Sequence, residues 1–342
     1  MIVTVGPNVD PSLVRAALIE HGLWVRRFDG LDAVQFFIEP MSPSVARETI
    51  LKIEGVVDVA VSSPSTPRLD AHPSTLDVGG VAIGAGAAPV LMAGPCSVET
   101  EEQNHSLASE VARAGGSFLR GGAFKPRTSP YDFQGHGQSA LRWLRTAADQ
   151  HHLRVVTEAL QPSDAPLVAE YADLVQVGSR NMHNAPLLRA VGATHRPVLL
   201  KRGMAATVDE WLFAAETLLL HGAQGVVLCE RGIRGFETST RFTLDIAAVA
   251  LIAHVHHLPI IVDPSHAAGR RDLIPALCDA SIAAGAAGVM VESHDRPGCA
   301  LSDGPQAISP ETLSMIGARM FARTPGGREP HVSNSSLRSC VA

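Results

Sequence analysis

Lysine is almost missing from this chain. Of 28 basic residues three are Lys (Lys52, Lys125 and Lys201) and the other 25 are Arg. A lysine kept against such a background marks a place where a compact ammonium is needed and a planar guanidinium is not, although three events leave chance open. Aromatic residues are scarce as well, at 4%, so a chain that is 46% hydrophobic must build its core from Ala, Val, Leu and Ile. Paired cysteines are lacking. Cys96, Cys229, Cys278, Cys299 and Cys340 form no C-x-x-C pair, and an odd count with no secretory leader speaks against a disulfide framework and for a reducing, cytoplasmic setting. The opening MIVTVGPNVD has neither a basic nor an apolar leader region, and no run approaches the roughly 18 apolar residues of a membrane span. Excess positive charge is missing too: the net charge of −6 argues against a nucleic-acid or anionic-membrane partner. Cations that matter here have to be placed locally.

What is present is periodicity. Residues 1–65 read as strand, helix, strand, strand, helix, strand, the βαββαβ order of a small α+β ferredoxin-like domain. The first helix starts at Pro11, carries an apolar stripe at Leu13, Val14, Ala17 and Leu18, and stops at Gly22, as Pro at the start and Gly past the end predict. The second is expected over Pro43–Ile53. Residues 66–87 read as a linker and a small hairpin, and from 88 to 323 a strand, loop and helix recur eight times. Eight such units predict an α/β fold closed as a (β/α)8 barrel. The tail over 324–342, polar and without periodicity, is expected to be disordered.

The stretch Phe118–Gln138 is the first place where chemistry collects. It opens as a short apolar strand, breaks at Gly121-Gly122, and brings Arg120, Lys125, Arg127, Thr128 and Ser129 within ten residues. Guanidinium, ammonium and hydroxyl groups on one loop suit an anionic ligand, though taken alone the stretch is also a solvated basic loop. In a barrel, functional residues sit at the carboxyl ends of the strands. Those positions hold Cys96, Arg120, Lys125, Arg127, Glu158, Ser179, Arg180, Lys201, Arg202, Glu230, Arg231, Asp263, His266 and Glu292. The cations among them ask for more than one anionic group, such as two phosphates and a carboxylate. Cys96, His266, Glu292 and Asp303 follow the first, seventh and eighth strands and offer a divalent-metal site of mixed hardness, suited to Mn, Fe, Co or Zn. Each residue alone is equally a core thiol or a loop cap, and the spacing leaves both readings open.

AGPCSVE (93–99), LRGGAFKPRTSPYDFQG (119–135), KRG (201–203), LCERGIRGFE (228–237), DPSHAAGRRDL (263–273) and LSDG (301–304) together resemble the 3-deoxy-D-arabino-heptulosonate 7-phosphate (DAHP) synthases. The resemblance is to the type I-beta branch, which carries an N-terminal ferredoxin-like regulatory domain, and it extends to about residue 322. It implies that phosphoenolpyruvate condenses with erythrose 4-phosphate in the first step of the shikimate pathway. By resemblance one divalent ion is held by Cys96, His266, Glu292 and Asp303. Arg120, Lys125, Ser179, Arg180, Lys201 and Arg231 would hold phosphoenolpyruvate, and Arg127 and Thr128 the erythrose 4-phosphate, with Asp263 near its hydroxyls. Lys125, Cys96, His266 and Asp263 would be the catalytic group. A metal-bound water or Glu158 serves the water-addition step, and the sequence leaves both open. Feedback by Tyr or Phe and a homotetramer are the family's habits.

Three alternatives accompany this reading. The sister enzyme that makes 3-deoxy-D-manno-octulosonate 8-phosphate from arabinose 5-phosphate carries Asn-Arg where this chain has Pro126-Arg127. An amino-sugar variant of secondary metabolism shares the motifs. A non-enzyme, an amino-acid-binding module on an inactive barrel, would be expected to have lost a ligand or a rim cation, and none is missing.

Overall fold

The computed structural model describes residues 1–30, 33–61, 66–125, 129 and 131–322. The chain forms two compact units, Met1–Pro67 and Arg68–Ala342. Arg127, Thr128, Cys340 and the tail expected over 324–342 lie outside the described residues.

In the first unit, strands β1 (Ile2–Val5), β2 (Val25–Asp29), β3 (Val34–Ile38) and β4 (Val56–Ala60) form an antiparallel sheet in the order β2-β3-β1-β4. Helix Pro11–Glu20 follows β1 and helix Arg47–Leu51 follows β3. Asp10 caps the first helix by accepting the Ser12 N–H at 2.9 Å, which satisfies one of the free donors at the helix start. The second helix is shorter than its sequence suggests, because its N-cap, Ala46, has no side chain to satisfy those donors. Alternation within the strands buries Val3, Val5, Phe36, Ile38 and Val59 against Val14, Leu18 and Ile50 of the two helices, while Phe28 and Phe37 face outward.

A helical turn, Pro67–Asp70, lies inside the segment expected to be linker. The Glu216 carboxylate accepts the N–H groups of Arg68 and Leu69 at 3.1 and 2.8 Å; a partner so distant in sequence leaves no local signal. A hairpin of β5 (Thr75–Val78) and β6 (Val81–Gly84) follows. The parallel strands are β7 (Val90–Gly94), β8 (Phe118–Arg120), β9 (Arg154–Glu158), β10 (Leu174–Val177), β11 (Val198–Lys201), β12 (Val226–Glu230), β13 (Ile260–Val262) and β14 (Gly288–Glu292), and they close into an eight-stranded barrel in chain order. Each is followed by a helix, and side chains of Thr100, Asn184, Thr207 and Asp245 cap four of these.

Period-two alternation decides what each strand residue does. One set, including Leu91, Leu119, Val155, Val175, Leu200, Leu228, Val262 and Val291, packs outward against the helices. The other, Met92, Phe118, Val156, Leu174, Leu199, Val227, Cys229, Ile261 and Met290, fills the barrel interior together with Leu76, Val78 and Ile83 of the hairpin. Two residues further along these inward columns come Arg120, Glu158, Gln176, Lys201, Arg231, Asp263 and Glu292. The column that makes an apolar core at one end delivers polar side chains to the other.

Candidate active site

The carboxyl ends of the strands enclose a cavity of about 530 Å³ whose wall includes Arg120, Lys125, Glu158, Gln176, Ser179, Arg180, Lys201, Arg231, His266 and Asp303. Close backbone approach shapes its base. Gly94, at φ +148°, brings β7 so near β8 that a Cβ there would lie 2.0 Å from the Arg120 carbonyl oxygen, and a Cβ on Gly178 would lie 2.1 Å from Glu158 Oε1. A side chain is excluded at Gly94, where the obstacle is backbone, whereas at Gly178 it would require the Glu158 carboxylate to move.

Arg120 is the buried pivot. Its Nη1 donates to the Pro95 carbonyl at 2.7 Å and to Glu292 Oε1 at 3.0 Å, while its Nε is buried without a partner, as is the Ser179 hydroxyl. Unsatisfied buried donors beside a polar cavity mark where a ligand completes the bonding. Ser179 and Arg180 are carried on a single 3-10 turn after β10, Ser179–Asn181.

A second group of side chains gathers beside these cations. Among the described residues, Cys96, Glu292 and Asp303 place ligand-capable atoms within 4.8 Å of one another. Cys96 Sγ donates to Asp303 Oδ2 at 3.1 Å. His266 stands at the edge of this trio, its Nε2 3.4 Å from Glu292 Oε1, and its Nδ1 is 2.7 Å from Asp263 Oδ2. A carboxylate at Nδ1 orients the ring so that Nε2 is turned to Glu292, the kind of support that metal-ligating histidines have. Donor atoms bound to one ion at about 2.0–2.3 Å lie roughly 3–3.5 Å apart, so these residues fit a divalent ion.

The electrostatics follow from burial and neighbours. Burial, with Glu292 nearby, pushes the Cys96 thiol up to about 12. Burial alone would raise Glu292, but His266, Arg120 and Lys125 together hold it down at about 2. Asp263 is treated the same way: burial opposes its charge, and His266 and Lys201 override it, leaving the carboxylate well below its usual range. Lys125 donates from Nζ to the Cys96 carbonyl and to Cys96 Sγ, both at 3.0 Å.

Residues 59–324 match the DAHP synthetase I family. This chain belongs to that family. It is 49% identical over 271 residues to a phospho-2-dehydro-3-deoxyheptonate aldolase of Thermotoga maritima, covering 79% of this chain and 80% of the relative. A 2-dehydro-3-deoxyphosphooctonate aldolase of Acidithiobacillus ferrooxidans is 30% identical over 236 residues, 64% of this chain and 83% of that one. The crystal structure of the Thermotoga maritima DAHP synthase superposes with a TM-score of 0.74 at 41% identity, covering 94% of this chain and 96% of that chain. A truncated form of the same synthase covers 74% of this chain and 92% of its own, with a TM-score of 0.68 and 46% identity.

For this member of the DAHP synthetase I family, the structure separates residues that the sequence grouped together. Arg202 and Glu230 fall on the outward parity of β11 and β12. They bond to each other at 3.0 Å, and Arg202 reaches Asp245 at 2.8 Å and lies over Trp211, so neither lines the cavity. Asp263, expected near substrate hydroxyls, is 1% exposed. Its Oδ2 is shared by Lys201 and His266 and its Oδ1 accepts the His266 N–H. Arg127 and Thr128 lie outside the described residues. Sequence reasoning missed Met204, Arg234, Arg241 and Phe242, which line the cavity, and Gln306, which donates to Glu292 Oε2 at 2.7 Å and accepts from Arg241 at 3.0 Å. Arg234 lies inside the 228–237 motif, while Arg241 and Phe242 are traced in the sequence by following β12 within one Gly-punctuated segment, 231–245.

Proposed function

We propose that this chain is a DAHP synthase, joining phosphoenolpyruvate to erythrose 4-phosphate with release of phosphate, the first committed reaction of the shikimate pathway. The observation that carries this reading is the cavity lined by Arg120, Lys125, Arg180, Lys201 and Arg231 and adjoining Cys96, Glu292 and Asp303, with Arg120 bonded to Glu292 and Lys125 to Cys96. In a chain of net charge −6, so dense a set of cations around one cavity is accounted for by anionic substrates. The free Arg120 Nε and Ser179 hydroxyl, with Lys201 and Arg231, form the seat for phosphoenolpyruvate. Arg127 and Thr128 are assigned to the sugar phosphate.

Cys96, His266, Glu292 and Asp303 would hold a divalent ion, which when bound would supply Lewis-acid polarisation of the aldehyde oxygen. The protein's own groups do the rest. Arg and Lys fix both anions in attack geometry, which exchanges the entropy cost of a bimolecular encounter for binding energy. The Lys125 ammonium has three donors; two go to Cys96, and the third is left for the phosphoenolpyruvate carboxylate or the incoming aldehyde. Glu158, whose Oε2 accepts from Gln176 Nε2 at 3.0 Å, lines the cavity and takes the proton from the water that adds at the former enol phosphate carbon. Phosphate then leaves with C–O cleavage.

Residues 1–65 are assigned a regulatory role, with Tyr or Phe as inhibitor, in a cytoplasmic homotetramer. The barrel unit by itself holds every group the chemistry uses. Among the described residues no helix is long and apolar enough to cross a membrane. The deciding experiment is steady-state phosphate release from phosphoenolpyruvate with erythrose 4-phosphate against arabinose 5-phosphate. Preference for the pentose phosphate would transfer the chain to the octulosonate branch. Removal of the N-terminal unit should leave turnover and abolish inhibition; a folded, wholly inactive barrel would refute the regulatory assignment.

A further inference from the structure

We infer that Phe242 is a positioning residue of the anion seat, its ring carrying the two guanidinium groups that the loop after β12 turns into the cavity and holding Arg231 ready for the phosphate of phosphoenolpyruvate. This rests on the assignment of that seat made above. The Arg231 guanidinium lies 4.3 Å from the Phe242 ring centroid and that of Arg241 5.8 Å from it. All three side chains line the cavity.

Arg231 needs such a support. It is 5% exposed, and among the described residues no carboxylate pairs with it in a salt bridge. Among the described residues the one hydrogen bond of its side chain is a long contact of 3.4 Å to the carbonyl of the next residue, Gly232. Burial opposes its charge and Arg241 adds repulsion, with Asp263 pulling the other way. A buried guanidinium without a fixed partner samples several rotamers unless a surface holds it, and an aromatic face attracts it without using up the N–H donors that an incoming phosphate requires. A carboxylate in the same place would hold Arg231 but compete with the ligand.

The ring is itself held firmly. The Phe242 N–H donates to the Ala267 carbonyl at 2.8 Å and the Arg241 N–H to the Ala268 carbonyl at 3.0 Å, on the short helix Pro264–Ala268 that also carries His266. Ile233 and Thr243 exchange reciprocal backbone hydrogen bonds at 2.9 Å and pin the two ends of the loop together. Gly232, at φ +93°, lets the chain pass so close that a Cβ there would meet the Phe242 Cβ at 2.7 Å. Arg241 reaches from the same ring to Gln306 at 3.0 Å and towards Asp303 at 3.7 Å. Phe242 therefore ties the anion seat to the neighbourhood of the metal ligands. In a chain with ten Phe, two Tyr and three Trp, one ring is committed to a wall that is otherwise mostly polar.

The test compares Phe242→Leu, which keeps apolar bulk and removes the ring, with Phe242→Tyr and Phe242→Trp, which keep a π face. Direct binding of phosphoenolpyruvate to the full-length protein is measured by calorimetry beside steady-state kinetics and a thermal melt. We expect Phe242→Leu to raise Kd and KM for phosphoenolpyruvate by about fivefold, the scale of a partly desolvated cation–π contact. Its kcat should stay within about twofold and its KM for erythrose 4-phosphate should not move, while the Tyr and Trp variants recover wild-type affinity. Wild-type affinity in Phe242→Leu, or an equal loss in all three variants, would overturn the inference. Wild-type protein that binds phosphoenolpyruvate but makes no product with erythrose 4-phosphate would overturn the proposed function instead, and the affinity comparison would still decide the role of Phe242.

Discussion

At the floor of the barrel, Met92, Phe118, Val156, Leu174, Leu199 and Ile261 pack against Leu76, Val78 and Ile83 of the β5-β6 hairpin. Two residues along several of the same strands, Arg120, Glu158, Gln176, Lys201 and Asp263 crowd the mouth. At the floor His72 is satisfied on both ring nitrogens: it accepts the Val226 N–H on Nε2 at 3.0 Å and contacts the Pro73 carbonyl through Nδ1 at 2.8 Å. The mouth keeps buried donors unpaired at Arg120 and Ser179 and holds Asp303 in a left-handed backbone conformation at φ +49°. One end of each column maximises contacts, and the other gives some up so that a ligand can supply them. Substitutions at the floor should therefore lower stability and spare turnover, and those at the mouth should do the reverse.

The largest effect is expected at the mouth. Cys96→Ala removes the thiol that lies between Lys125 and Asp303. Turnover should fall by more than about 10³-fold, since losing a direct metal ligand costs more than the 10–100-fold typical of an outer partner. Metal content after dialysis should fall with it, and the melting temperature should change little. Full activity in metal-free protein would return Cys96 to a structural role and erase the contrast between the two ends.

Next comes the floor. Phe118→Ala empties a fully buried position at the centre of the inner cluster and should cost about 3–5 kcal/mol of stability. Chemical denaturation measures the loss, and kcat of the folded fraction should remain near wild type. A variant that kept its stability but lost turnover would show that the floor is part of the catalytic machinery.

Lys125→Arg sharpens the contrast without removing charge. The ammonium sits against Cys96 Sγ and the Cys96 carbonyl, where a planar fork would displace either the thiol or the aldehyde. We expect a loss of about 10²-fold in turnover, the scale on which a misplaced catalytic group acts, with an unchanged melt. Near-wild-type turnover would reduce Lys125 to one more positive charge on the wall.

The smallest effect is a pH dependence at the floor. Burial lowers the His72 pKa below its ordinary value, while the bond to the Pro73 carbonyl opposes the shift. The folded chain thus favours the neutral ring, with Nδ1–H donating and Nε2 accepting. When the folded pKa is depressed, the unfolded chain takes up the proton first as pH falls. The contribution of His72 is then complete above about pH 6.5 and is lost below it, as pH drops towards the depressed folded value. Thermal melts between pH 5 and 8 should show His72→Asn with a flatter acid limb than wild type. Parallel curves would indicate that the Val226 N–H does not depend on the neutral ring.

Much of this architecture is legible in the order of residues because it rests on local periods. Eight alternations of strand and helix, the Pro11 start and Gly22 stop, and the polar residue at the end of nearly every strand all follow from rules that act over a few residues. Cys96 and Asp303 were nameable from their motifs, and Glu292, Arg120, Lys125, Ser179, Arg180, Lys201 and Arg231 from their strand ends or the loops after them.

Contacts across the barrel obey no such rule, and only the folded chain decided them. Parity about the barrel wall turned Arg202 and Glu230 outward and Lys201 and Arg231 inward, though each pair is adjacent in sequence. Asp263 became a bridge between Lys201 and His266 because β11 and the turn after β13 converge on it. Phe242, unmarked in sequence, came to face Arg231 because the loop after β12 is pinned to Ala267 and Ala268. Local sequence determines the direction of each strand and the period of its side chains, whereas the neighbours a side chain meets depend on closure of the barrel and on loops anchored many residues away.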